Sequence, residues 1–165
     1  MAEHLEDLVA EHLEWGGHIV RRNILVGKRE RGGWEMELDI VAYQPARGEV
    51  LHVEPSLDAH PWARREERFS KKFQVGRRLI FSEVLPWLDA ASVKFEQLAI
   101  VTQRGERTEL AGAKLMTVDE YVAAVRKDVR QLGPASRNAV PSQFPLLRTI
   151  QFVVNGYYRA LGDPA

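Results

Sequence analysis

Two short apolar segments that carry carboxylates, residues 36–43 and 49–54, constrain this chain more than any other feature. Apolar residues alternate with the carboxylates in the first of them, and a turn-forming segment, residues 44–48, separates the two. We therefore predict two antiparallel strands joined by a short hairpin. Because residues two apart on a strand share a face, Glu37 and Asp39 are expected on the same side of the sheet.

A third carboxylate, Glu54, ends the second of these predicted strands. If the hairpin pairs as predicted, Glu54 approaches Asp39 near the strand ends. Converging carboxylates repel each other and raise one pKa unless a cation neutralises them. Oxygen ligands of this type suit magnesium or manganese, so the residues favour a divalent-metal site here.

The rest of the chain alternates between helical and strand periodicity. Helices are predicted over 5–15, 62–83 and 117–132, and strands over 18–25, 94–102 and 114–116. The last of these helices begins with Thr117 and Glu120 at the spacing of a capping box. The predicted fold class is α/β, with a mixed sheet flanked by helices.

A proline-rich segment divides the chain near its end. We predict one domain over 1–132, a linker over 133–145 that contains three prolines, and a C-terminal helix over 146–165. That helix has a single apolar seam formed by Leu147, Ile150, Val154, Tyr157 and Leu161. Such a seam packs back on its own domain, which is the commoner outcome, or against a second copy in a homodimer.

Composition excludes several classes of function. The chain has no cysteine, which rules out disulfides, thiolate catalysis and cysteine-ligated metals. No histidine has zinc-site spacing, and His52 is expected to be an ordinary strand residue. No apolar run reaches membrane-spanning length, and the acidic, amphipathic start of the chain is unlike a signal peptide. We expect a cytoplasmic protein with no membrane partner.

The charge is balanced overall but uneven along the chain. The 23 basic and 23 acidic residues argue against a generic nucleic-acid coat protein. Residues 1–60 carry 12 acidic and 6 basic side chains, whereas residues 61–78 carry 7 basic and 2 acidic ones. An acidic half followed by a basic helix suits a metal site beside a phosphate-binding surface, although two ordinary solvated helix faces would give the same counts.

The segments Met36–Ala42 and Val50–Glu54 together resemble the core of the PD-(D/E)XK nuclease superfamily, and most nearly its YraN-like and Holliday-junction-resolvase-like members. In those families, a strand reading Glu-hydrophobic-Asp-hydrophobic is followed by a hairpin and a strand ending in Glu-x-Lys. The preceding Arg21-Arg22-Asn23 also matches, and the resemblance covers roughly residues 3–102. It implies a restriction-endonuclease-like fold, here with a C-terminal helical extension.

The resemblance also implies functional roles. Asp39 and Glu54 would hold magnesium or manganese together with Glu37 and, by a looser match, Glu6 of the first helix. The implied activity is a metal-dependent phosphodiesterase acting on DNA in repair, recombination or restriction. The basic helix would supply the nucleic-acid contacts, for which we select Arg64, Arg65, Arg68 and Lys71.

One motif position departs from the family. Glu54-Pro55-Ser56 places Ser56 at the catalytic position where the motif has lysine, and its hydroxyl can bind a water but supplies no positive charge. Lys72, or else Lys71, on the following helix can replace the lysine, with Gln74 orienting the water. Otherwise cleavage is lost and the domain binds only nucleic acid or a protein, or the carboxylates are merely salt-bridged to nearby basic side chains, Arg21, Arg22 or Lys72.

Overall fold

The computed structural model describes residues 3–155, and the order of elements is the predicted one with one short strand added. The helices are α1 (Glu3–Trp15), α2 (Trp62–Leu79), α3 (Val118–Arg130) and α4 (Pro145–Val154), with a π-helical turn at Ile80–Val84 and a 3-10 turn at Ala90–Ser92. The strands are β1 (Ile19–Lys28), β2 (Trp34–Gln44), β3 (Glu49–Ser56), β4 (Lys94–Val101), β5 (Glu109–Leu110) and β6 (Ala113–Thr117). The added strand is β5.

The six strands form one mixed sheet in the order β1-β2-β3-β4-β6-β5. The first three pair antiparallel, β3, β4 and β6 run parallel, and β5 pairs antiparallel at the edge. The helix α2 makes the crossover from β3 to β4, as parallel neighbours require. The α/β class is therefore confirmed, and the mixed sheet flanked by helices is consistent with a restriction-endonuclease-like fold.

Alternating residues of the central strands divide the core between the two faces of the sheet. On one face, Ile40 and Val53 pack in a cluster that includes residues of α1, α3 and α4. On the other face, α2 packs through Phe69 and Phe73. The side chains at Glu54 and His52 point to this second face because they alternate with Val53. The sheet thereby presents its acidic positions to the basic helix.

Hydrogen bonds connect the segment that follows α3 to α4. Gln151, which is fully buried, accepts a hydrogen bond from the Val140 amide at 2.9 Å and donates to the carbonyls of Gly133 and Asn138. Leu147 is buried in the cluster shared with α1 and α3, so this end of the predicted seam packs on the same chain. The predicted seam positions Tyr157 and Leu161 lie outside the described residues. No helix within residues 3–155 combines the length and apolarity needed to cross a bilayer.

Candidate active site

The carboxylates of Asp39 and Glu54 meet where β2 and β3 separate. The last paired residues of the two strands are Ile40 and Val53, so Asp39 and Glu54 are the next pair, just beyond the end of the ladder. There the Asp39 amide donates a hydrogen bond to Glu54 Oε1 at 3.2 Å instead of to a strand neighbour. The end of strand pairing is what lets the Glu54 side chain reach across to β2.

Lys72 of α2 lies between these two carboxylates. Its Nζ is 2.5 Å from Asp39 Oδ1 and also donates to Glu54 Oε2. Because both oxygens contact one nitrogen, they lie within about 5 Å of each other, twice the length of a short hydrogen bond. The structure thus brings three of the predicted catalytic residues together, with a lysine supplied by a helix.

A series of buried, hydrogen-bonded side chains fixes the position of Glu54. Glu54 is 1% exposed, and its Oε1 accepts a hydrogen bond from His52 Nε2 at 2.7 Å. Gln97 donates from Nε2 to His52 Nδ1 at 3.0 Å and to the Phe73 carbonyl at 3.0 Å. Arg77 donates to Gln97 Oε1, which fixes the orientation of the amide. Since an amide nitrogen can only donate, His52 carries its proton on Nε2 and directs it at Glu54.

Burial keeps His52 neutral. Removal from water, reinforced by the positive charge of Lys72, lowers the pKa of His52 to about 3. The imidazole is therefore an oriented hydrogen-bond donor throughout the neutral range and does not add a charge. Such a group fixes the position of a carboxylate without neutralising it.

Gly76 leaves room for the His52 ring. A Cβ at this position would lie 2.5 Å from two atoms of the ring, closer than real side chains approach. Alanine in the middle of a helix normally stabilises by about 1 kcal/mol relative to glycine. Here we expect Gly76→Ala to lower the free energy of unfolding by about 1–3 kcal/mol, because the ring must move from Glu54.

Denaturant unfolding measures this effect, with Gln74→Ala as the control. Gln74 is exposed on the same helix, so its replacement is expected to change stability by less than about 0.5 kcal/mol. A stabilised Gly76→Ala protein would show that the ring is not held as described.

The pKa values of Asp39 and Lys72 are both raised, but for different reasons. Burial, followed by the charge of Glu54, raises the pKa of Asp39 to about 7 in spite of Lys72. Burial alone would lower the pKa of Lys72, but the charges of Glu54 and Asp39 outweigh it and raise this pKa. Lys72 is consequently a permanent cation at neutral pH. Once Asp39 is ionised, two carboxylates face the single ammonium of Lys72, an arrangement that can accept a further cation.

The predicted set of four metal ligands is not assembled. Within residues 3–155, no group of three or more Asp, Glu or His side chains is arranged to hold a metal ion. Glu37 is exposed on the part of β2 that extends past β3, and Glu6 lies on α1, whose core residues pack on the opposite face of the sheet from α2. Of the predicted ligands, only Asp39 and Glu54 converge.

Ser56 belongs to a separate cluster around Asp58. Its hydroxyl donates to Asp58 Oδ2 at 2.5 Å and accepts from Arg68 at 2.7 Å. Burial alone would raise the pKa of Asp58, but hydrogen bonds from Ser56, the His60 amide and Arg65 lower it well below its usual range. Ser56 therefore fixes the loop after β3, and its predicted catalytic role finds no support in these contacts.

The structure corrects the prediction that Arg65 contacts nucleic acid. Arg65 is 7% exposed, and its guanidinium bonds Asp58 Oδ1 and the Gln103 carbonyl, each at 3.1 Å. The other three predicted contacts are exposed: Arg64, Lys71, which pairs with Glu67, and Arg68, which pairs with Asp58. Arg65 precedes the buried Phe69 by one helical turn, a spacing that could have indicated its burial.

Sequence reasoning missed the support that His52 and Gln97 give to Glu54. His52 and Glu54 are two apart on one strand and hence share a face, so their contact had a local signal. Gln97 lies on β4, opposite His52 in the parallel ladder, and only strand pairing reveals its role.

Comparisons with known proteins leave the chemistry open. No family model and no curated protein matches the sequence. Among solved structures, a protein of unknown function, AF1548, is similar with a TM-score of 0.48 and 16% identity over 89% of this chain and 77% of that one. The small subunit of the heterodimeric restriction endonuclease R.BspD6I is similar with a TM-score of 0.43 and 12% identity over 92% of this chain and 80% of that one. Both likenesses are weak, and neither assigns a role to a residue here.

Proposed function

We propose that this chain binds DNA and cleaves it as a divalent-metal-dependent phosphodiesterase, in repair, recombination or restriction. The observation that carries this proposal is Lys72, which contacts both Asp39 and Glu54 from α2. A lysine beside two carboxylates is what the Glu-x-Lys motif would supply, and Ser56 cannot supply it. Lys72 fills the missing position from another element of the fold.

The Asp39–Glu54 pair fits magnesium or manganese. Mg²⁺ is commonly held by only one or two carboxylates, with waters and substrate phosphates as its other ligands. The raised pKa of Asp39 reflects burial and the neighbouring Glu54, and a cation relieves the second of these. Bound there, the ion would lower the pKa of a water and offset charge on the phosphate.

The other roles in binding the ion and the phosphate would fall to residues of the chain itself. Glu54, held by His52 and the Asp39 amide, is the fixed ligand. The side chain of Asp39 is 15% exposed, so Asp39 is the carboxylate of the pair that faces solvent. Lys72 stays protonated, so it donates hydrogen bonds to a phosphate oxygen or to the attacking water and does not act as a base.

A second candidate is a catalytically inactive module that binds nucleic acid or a protein partner. The observation that favours it is also Lys72, because an ammonium already paired with both carboxylates can serve as a structural ion pair that needs no metal. The two candidates share a fold and a surface, and differ in whether a phosphodiester bond is broken.

Incubation with plasmid, single-stranded and branched DNA, in magnesium or manganese, separates them. We expect metal-dependent cleavage that Asp39→Ala and Glu54→Ala both abolish, and that Glu37→Gln retains because Glu37 is exposed and outside the pair. Cutting that survives Asp39→Ala would belong to a contaminant. Salt-sensitive retardation of DNA without any cutting would support the inactive binding module.

A further inference from the structure

A two-stranded ribbon projects beyond the candidate site. The pairing of β2 with β3 stops at Ile40, whereas β1 and β2 stay paired from Ile24 and Leu38 out to Lys28 and Trp34. Residues 24–38, which we call the arm, thus continue the strand that carries Asp39. A tight turn closes the tip, where the Arg29 amide donates to the Gly33 carbonyl at 3.0 Å.

The base of the arm is fixed against the end of α2. Ile24, Val26 and Leu38 are buried there with residues of α2 and the turn after it. The Gly27 amide donates to Glu83 at 2.9 Å, and Arg78 pairs with Glu35. The direction of the arm is therefore set by the same helix that positions Lys72.

The tip is exposed and carries unneutralised positive charge. Lys28, Arg29 and Arg31 are all exposed, and none forms an ion pair with another residue in the range 3–155. Glu30 is the one acidic side chain between residues 28 and 34, so this stretch has an excess of two positive charges. Trp34, 42% exposed, lies directly across the ribbon from Lys28.

We propose that the tip of the arm binds the phosphate backbone of a DNA duplex whose reacting phosphate lies at Asp39 and Lys72. This inference rests on the proposed function and extends it to the path of the substrate. Lys28, Arg29 and Arg31 contact phosphates, and the Trp34 ring packs beside them. A two-stranded ribbon is also narrow enough to enter a major groove.

Distance along the strand supports DNA as the occupant. Trp34 precedes Asp39 by five residues, which is about 17 Å of extended chain. Successive nucleotides advance about 3.4 Å along each strand of a duplex. The tip therefore reaches phosphates about five nucleotides from the one at Asp39, so one continuous duplex can contact the tip and Lys72 at the same time.

The test measures DNA binding by the full chain in EDTA, so that no strand is cut. Anisotropy of a fluorescein-labelled duplex is followed from about 50 to 200 mM salt. The arm variant is Lys28→Gln/Arg29→Gln/Arg31→Gln, and the matched control is Arg126→Gln/Lys127→Gln/Arg130→Gln. The control removes the same charge from exposed positions of α3, on the opposite face of the sheet from α2.

We expect the arm variant to lose affinity by on the order of 100-fold near 0.1 M salt and to reduce the salt slope by about 2–3. The control should retain both values. Equal losses in the two variants, or an unchanged arm variant, would overturn the role of the arm and leave the proposed function standing. A wild-type chain that binds no DNA at low salt would overturn the role of the arm, and one that also cuts no DNA in magnesium or manganese would overturn both.

Discussion

Replacing Lys72 with methionine is expected to lower the free energy of unfolding by about 3–5 kcal/mol near pH 8. The change leaves the carboxylates of Asp39 and Glu54 within about 5 Å of each other with no cation between them, and Glu54 is fully buried. Chemical denaturation in EDTA measures the loss. Manganese should then stabilise Lys72→Met more than the wild type, because in the variant no ammonium neutralises the two carboxylates.

The neighbouring Lys71 provides a matched control. It is the same residue type one position earlier on α2, but it is exposed, and within residues 3–155 its one ion pair is with Glu67 on the helix surface. Such pairs contribute about 0.3–0.5 kcal/mol, so Lys71→Met should be nearly neutral. Similar losses in the two variants would mean that Lys72 has no special role in the core of the site.

Replacing Asp39 with asparagine is expected to raise the free energy of unfolding by about 2–4 kcal/mol near pH 8 in EDTA, while abolishing cleavage. Burial and Glu54 raise the pKa of Asp39 to about 7, so above that pH the folded protein keeps a charge that it disfavours. Asparagine removes the charge and can still accept from Lys72. Glu37→Gln, on the exposed part of the same strand, should change stability by less than about 0.5 kcal/mol.

The gain from Asp39→Asn should depend on pH with a defined sign. The folded-state pKa lies above the unfolded value of 3.8, so the folded protein binds the proton more tightly. The destabilisation by Asp39 is thus complete above pH 7 and is relieved as the pH falls toward 4. The advantage of the variant should shrink by roughly half near pH 5. An advantage that grew on acidification would contradict the raised pKa.

Local patterns were sufficient to predict most of the fold. The alternation of apolar and polar residues and the turn over residues 44–48 predict the β2–β3 hairpin, and that hairpin alone brings Glu54 beside Asp39. The capping box at Thr117 and Glu120 is present as predicted. The two-residue strand β5 was missed because it is too short to show any periodicity.

The sequence favours Lys72 as the lysine of the site but leaves Lys71 as an alternative. Lys71 and Lys72 are adjacent on α2 and point about 100° apart, so the rotation of the helix against the sheet decides which one faces Asp39. Packing of Phe69 and Phe73 sets that rotation, turning Lys72 inward and leaving Lys71 in solvent. The same rotation buries Arg65, which charge counting alone had assigned to the DNA surface.

Calorimetric titration with manganese near pH 8 tests the central claim, that Asp39 and Glu54 form a cation site beside Lys72. We predict one bound ion per chain in the wild type and in Glu37→Gln, and no binding in Asp39→Asn, whose fold is expected to be the more stable one. Absence of binding in the wild type, or binding that persists in Asp39→Asn, would contradict the account.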